Sequence, residues 1–220
     1  MPTCPRLLPG LFALAALGTA PAEAHPHVWV TAKARVEYAD GKVVALRHAW
    51  TFDAAYSSFI TQGLDKNGDG KFSPDELAGL ATENTAGLAE FAYFTKLKVA
   101  GKEQVFAEPA EPRMEMADGA LTLTFRLPLK APAAQGRGVV ALEVYDPTYF
   151  VSFGLSESAD AVTLAGAPAG CTATVTRPKT QDAKTADAAK PGLSEAFFEA
   201  LTAASSYGTQ FANRVLVACP

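Results

Sequence analysis

HVWVTAKARVEYADGKVVALRHAWTFD, residues 27–53, decides the reading of the fold. Apolar and polar side chains alternate along it, and the alternation breaks at Asp40-Gly41. Asp-Gly between alternating runs is a strong hairpin signal, because both residues tolerate the left-handed backbone of a tight turn. Side chains on a strand point alternately to its two faces. Val28, Val30, Ala32, Ala34 and Val36 therefore share an apolar face, while His27, Trp29, Thr31 and Lys33 share the other. An unbroken two-residue turn pairs His48 with Lys33 and makes His48 a surface residue. Asp53, at the far end of the return strand, falls in register near His27 and Val28. Ideal alternation would turn it to the opposite face, and a bulge or the start of a helix would redirect it.

Downstream of the hairpin the period changes. FDAAYSSFITQGL (52–64) and SPDELAGLATENTAGLAEFAYF (73–94) read as helices. The second has Ser73 as cap, Pro74 in the first turn and Glu76 three residues after the cap. From Lys96 onward short β-rich runs return, with a second Asp-Gly turn at Asp118-Gly119. Residues 177–192 are polar and poor in large apolar side chains, the composition of a flexible loop. Residues 193–219 read as a closing helix with a final strand at VLVAC. The expected class is α+β: antiparallel strands and hairpins, an inserted EF-hand-like helix–loop–helix, and a C-terminal helix.

The first 24 residues carry Arg6, the apolar run LLPGLFALAALG, and small residues at Ala22 and Ala24. This is the plan of a secretory signal peptide, which predicts a mature domain at 25–220 exported to the periplasm. The apolar run is too short for a membrane span, which takes about 20 residues, and no insertion is expected after cleavage. The mature length suits one core or two small lobes, 25–95 and 96–220. The net charge of −4 offers nothing to nucleic acid, which calls for a basic patch. Cys171 and Cys219 remain after cleavage, an even pair in an oxidising compartment, and are read as a disulfide.

Two motifs carry chemistry. Asp65-Lys66-Asn67-Gly68-Asp69-Gly70-Lys71-Phe72-Ser73-Pro74-Asp75-Glu76 matches a calcium loop. Asp65, Asn67, Asp69, Ser73 and Glu76 offer side-chain oxygens, and Lys71 its carbonyl. Calcium takes roughly six to eight such hard ligands. The bland alternative is an acidic turn capping a helix. His25-Pro26-His27 holds two of the three histidines. Residues two apart on a strand face one way, about 7 Å apart at Cα, so both imidazoles converge on one ion. Cleavage before His25 would add an α-amino nitrogen. Pro26 has no amide proton, which removes the backbone-amide copper or nickel chelate. Imidazole with amine and carboxylate suits zinc, copper, nickel or cobalt. Asp53 and Asp146 are the candidate carboxylates; capping the turn before Pro147 is the competing role for Asp146.

Through HPHVWV, WTFDAAYS, the acidic loop, YDPTYFVSF and VLVAC, the chain resembles the bacterial periplasmic family known as domain of unknown function 1007. Members are labelled periplasmic components of ABC-type transport systems and occur beside zinc, nickel or cobalt transporters. The resemblance implies metal handling and a transporter as partner. The expectation is a zinc-favouring binding protein with a structural calcium, not an enzyme. A copper-dependent oxidoreductase with an N-terminal histidine brace is the alternative, and a calcium-stabilised interaction domain the third. No nucleophile–base set is visible, and every histidine precedes residue 49.

Overall fold

A computed structural model describes residues 26–178 and 207–220. The signal peptide, His25, nearly all of the polar loop 177–192 and the first part of the closing helix lie outside the described residues.

The class differs from the expected α+β. Among the described residues the protein is mostly β, eleven strands in two sheets with short helices between them. The larger sheet is built on β1 (Val28–Ala39) and β2 (Lys42–Phe52), the hairpin read from the sequence. The Asp40-Gly41 turn joins them, with φ of 50° and 72° at its two residues. The second Asp-Gly turn joins β5 (Ala110–Ala117) to β6 (Ala120–Ala134). The order is β5-β6-β2-β1-β8, where β8 is Val151–Leu155. Both β8 and β9 (Val162–Ala165) run parallel to β1, one along its first half and the other along its second.

The smaller sheet contains β3 (Thr95–Val99), β4 (Lys102–Glu103), β7 (Val139–Val144), β10 (Thr172–Thr176) and β11 (Asn213–Ala218). Its order is β10-β11-β7-β3-β4. Strands from both halves of the chain share the larger sheet, and apolar side chains of both sheets form one cluster. Buried polar groups tie the sheets together. Asn213 donates to the Phe153 carbonyl and accepts from the Leu155 amide, so β11 is fixed to β8. Tyr38 donates to Gln135, whose amide donates to the Val217 carbonyl. Cys171 and Cys219 are bridged beside this network, as the cysteine count predicts.

Two helical expectations are corrected. The described part of the expected C-terminal helix is a 3-10 turn, Tyr207–Phe211, followed by β11. Asn213, Val215 and Val217 are buried while the residues between them are not, a period of two that fits a strand. The EF-hand-like insertion is not formed either. Helix α1 is only Ala54–Ile60, two turns capped by Asp53. The chain then runs through turns and bends to Ser73, which opens α2 (Pro74–Gly87) with a complete capping box. The loop's carboxylates accept from its own N–H groups.

The hairpin also departs from ideal register. Tyr38 pairs with Val43 but Glu37 pairs with Ala45, which leaves Val44 as an extra residue. Such a bulge reverses the facing of everything beyond it. His48 therefore opposes Ala34 instead of Lys33 and is fully buried, correcting its surface assignment.

Candidate functional site

The start of β1 is held from two sides. The amide of His27 donates to the Phe150 carbonyl at 2.9 Å. The ring of His27 lies against that of Phe150, with centroids 4.7 Å apart, and the residue is exposed. On the other side Asp53 pairs with Trp29: the Asp53 amide donates to the Trp29 carbonyl, and the Trp29 amide donates to Asp53 Oδ2 at 3.0 Å. The bulge at Val44 places Asp53 opposite Trp29, so the redirection that the sequence left open does occur. Its second oxygen accepts from the Tyr56 amide and caps α1.

Asp146 is 5% exposed and serves a turn. Oδ1 accepts from the amide and hydroxyl of Thr148, and Oδ2 accepts from the Val151 amide. The capping role weighed against ligation is thus the one its geometry carries. Gly208 packs against the same turn, where any Cβ would collide with the Asp146 carbonyl. Asp146 shapes the approach to β8, and β8 pairs with the start of β1, beside His27. Both aspartates therefore position the His27 segment. Among the described residues no three His, Cys, Asp or Glu side chains gather so as to hold a metal ion.

In the acidic loop, Asp65 draws the chain around itself. Its Oδ1 accepts from the amides of Gly68 and Asp69, and its Oδ2 from Gly70. Asn67 accepts from the Asp69 amide, and Asp69 from the Lys71 amide. Glu76 accepts from Lys66 with one oxygen and from the amide and hydroxyl of Ser73 with the other. The Ser73 amide, then its hydroxyl and the Lys66 amide, hold the Glu76 carboxyl down at about 2. It is ionised throughout the physiological range. Lys71 and Ser73 are exposed.

His48 is the histidine whose place the pattern misassigned. It packs between Trp50 and Phe125, with ring centroids at 5.4 and 5.2 Å. Thr95 donates its hydroxyl to the Tyr93 carbonyl, so Nε2 of His48 is the donor in its 3.3 Å bond to Thr95 Oγ1. Nδ1 has no partner. Burial drives the imidazole down from 6.5 to about 4, so it is neutral at pH 7.

These features define a two-sheet, disulfide-bridged β protein with a helical insertion and an exposed histidine just ahead of β1, at the end of its larger sheet. The chain belongs to the family described as Protein of unknown function (DUF1007), which it matches over residues 10–219. It is also 32% identical over 94 residues to a protein of Spirochaeta aurantia described as an uncharacterized 15.5 kDa protein in the trpE 3' region. That match covers 43% of this chain and 66% of the relative, just under two thirds of its length. No solved structure matches the chain. The bridge Cys171–Cys219 accords with an exported protein. No helix among the described residues is long and apolar enough to cross a membrane.

Proposed function

We propose that the protein is a periplasmic, non-enzymatic metal-binding protein that holds a transition metal, zinc before copper, nickel or cobalt, at His25 and His27. It passes the ion to a metal transporter. The observation that carries this reading is the anchoring of His27: its amide is bonded to Phe150, and its ring lies on that of Phe150 at the exposed start of β1. A fixed imidazole loses little freedom on ligation, so it binds more tightly than one on a free terminus. His25 supplies the second imidazole and, once the first 24 residues are removed, an α-amino nitrogen. Zinc favours such nitrogen donors and takes four ligands in all, about two or three of them from this segment. The exposed start of β1 leaves positions for a transporter's own ligands, as transfer requires.

Calcium belongs to the same reading, in the loop between α1 and α2. The donor set is hard oxygen: Asp65, Asn67, Asp69, Ser73, Glu76 and the Lys71 carbonyl. The Lys66 amide ties ionised Glu76 to the residue after Asp65, so carboxylates from both ends of the loop are already close.

Purification of the full chain from a periplasmic fraction, with intact mass and elemental analysis, tests the proposal. The expected result is a chain starting at His25 with one zinc and one calcium. A chain keeping its first 24 residues, or one free of transition metal after growth in zinc, overturns it.

A further inference from the structure

Between the inner face of the β1–β2 hairpin and the insertion at residues 74–94 lies a cavity of about 730 Å³. That is the size of a small-molecule site. Val28, Val30, Trp50 and Phe52 line it from the sheet, and Leu88 and Phe94 from the insertion. Phe91 and Phe150, 56% and 47% exposed, belong to the same lining. The exposed ring of Phe91 beside an apolar cavity marks a surface that favours an apolar occupant.

The charge of this lining has one sign. Glu83, Glu90 and Asp146 are its charged residues, with no Lys, Arg or His among the described ones. Asp146 is bonded into its own turn, so Glu83 and Glu90, both exposed, set the field at the mouth. The wall is also strained. Ala92, Tyr93 and Phe94 have φ of 48°, 55° and 47°, three consecutive left-handed residues without a glycine. L side chains avoid that region, and such strain collects at ligand clamps. Here it turns the chain so that Phe94 enters the core while Phe91 stacks on it, 5.2 Å away, at the cavity.

We infer that the cavity binds an amphiphile with an apolar tail and a cationic amine head, the tail against Val30, Trp50 and Leu88 and the head beside Glu83 and Glu90. This site does not depend on the metal reading. The chain has two tryptophans, and Trp29 is exposed while Trp50 lines the cavity, its indole N–H without a partner among the described residues. In a full chain carrying Trp29→Phe, Trp50 emission reports occupancy.

The test is titration of that chain with dodecylamine, dodecanol and dodecanoate, each below its micelle or solubility limit, read by fluorescence and calorimetry. Dodecylamine is expected to saturate a single site about tenfold more tightly than dodecanol, and dodecanoate to bind weakest. Added salt and Glu83→Gln with Glu90→Gln should remove the amine's advantage and leave dodecanol binding as before, since both residues are exposed and their loss should not unfold the chain. Leu88→Phe, which narrows the cavity, should weaken all three. No saturable response to any probe overturns the inference. So does equal affinity for the three, or an amine preference that survives the double glutamine variant.

Discussion

His27 and His48 lie on one hairpin and meet opposite environments. His27 stands exposed at the first residues of the larger sheet, its ring on Phe150 and its backbone fastened to the neighbouring strand. His48 is enclosed by Trp50, Phe125 and Thr95, neutral and short of one hydrogen-bond partner. Composition does not separate them. The difference is one extra residue, Val44, which reverses the facing of β2 between the two. A histidine's chemistry is thus set by the register of its strand. The ring of His27 lies at the surface against Phe150, and the enclosed ring of His48 makes the core sensitive to acid.

The buried end of the comparison breaks with the largest effect. Trp50 contacts His48, Phe94, Phe125 and Phe153 and is 1% exposed. Trp50→Ala should lower unfolding free energy by about 4 kcal/mol, through lost burial and the cavity left behind. Urea denaturation checks this, and a loss under about 1 kcal/mol would contradict the packing described.

Acid sharpens the contrast next. The folded value of His48, about 4, lies below its ordinary 6.5, so the unfolded chain takes up the proton first. The stabilising contribution is complete above about pH 6.5, shrinks as pH falls, and is gone below about pH 4. It amounts to about 3 kcal/mol. Denaturation series from pH 7 to pH 4 should show this slope in the wild type and its loss in His48→Leu. His27→Ala should leave the slope in place.

Asp53 belongs to the exposed end of the hairpin, where it caps α1 and holds Trp29. Asp53→Ala should cost about 1 kcal/mol, the usual loss of an N-cap. Thermal melts would show it, and an unchanged midpoint would mean that neither bond matters. The smallest expected effect is that of His27→Ala on stability, under about 0.5 kcal/mol, because an exposed side chain is removed. A larger loss would make His27 a structural residue.

Much of this was legible in residues 27–53. The alternation of β1, both Asp-Gly turns and the disulfide follow from local rules that the core confirms. Val44 was not legible as the extra residue, because the apolar run Val43-Val44-Ala45-Leu46 does not show which member bulges until the pairing partner is known. The parallel pairing of β8 and β9 to β1 depends on contacts between distant segments. Asp53 and Asp146 looked like ligands because carboxylates near histidines usually invite that reading; their oxygens are engaged by backbone amides that sequence cannot place. The acidic loop matches every position of a calcium motif, yet the helix–loop–helix that such a motif implies is not formed, because α1 ends at Ile60. The cavity beside Trp50 has no sequence signature, since it is bounded by a strained turn at Ala92–Phe94.

The metal site proposed at His27 is tested most directly by calorimetric titration of zinc into the mature chain and into His27→Ala, at pH 7.5 and pH 5.5. Imidazole binds zinc only when neutral. The account predicts one saturable site in the wild type at pH 7.5, weaker binding at pH 5.5 because a protonated imidazole cannot ligate, and loss of the site in His27→Ala with the fold intact. Equal zinc binding by both proteins at pH 7.5, or none by either, would contradict it.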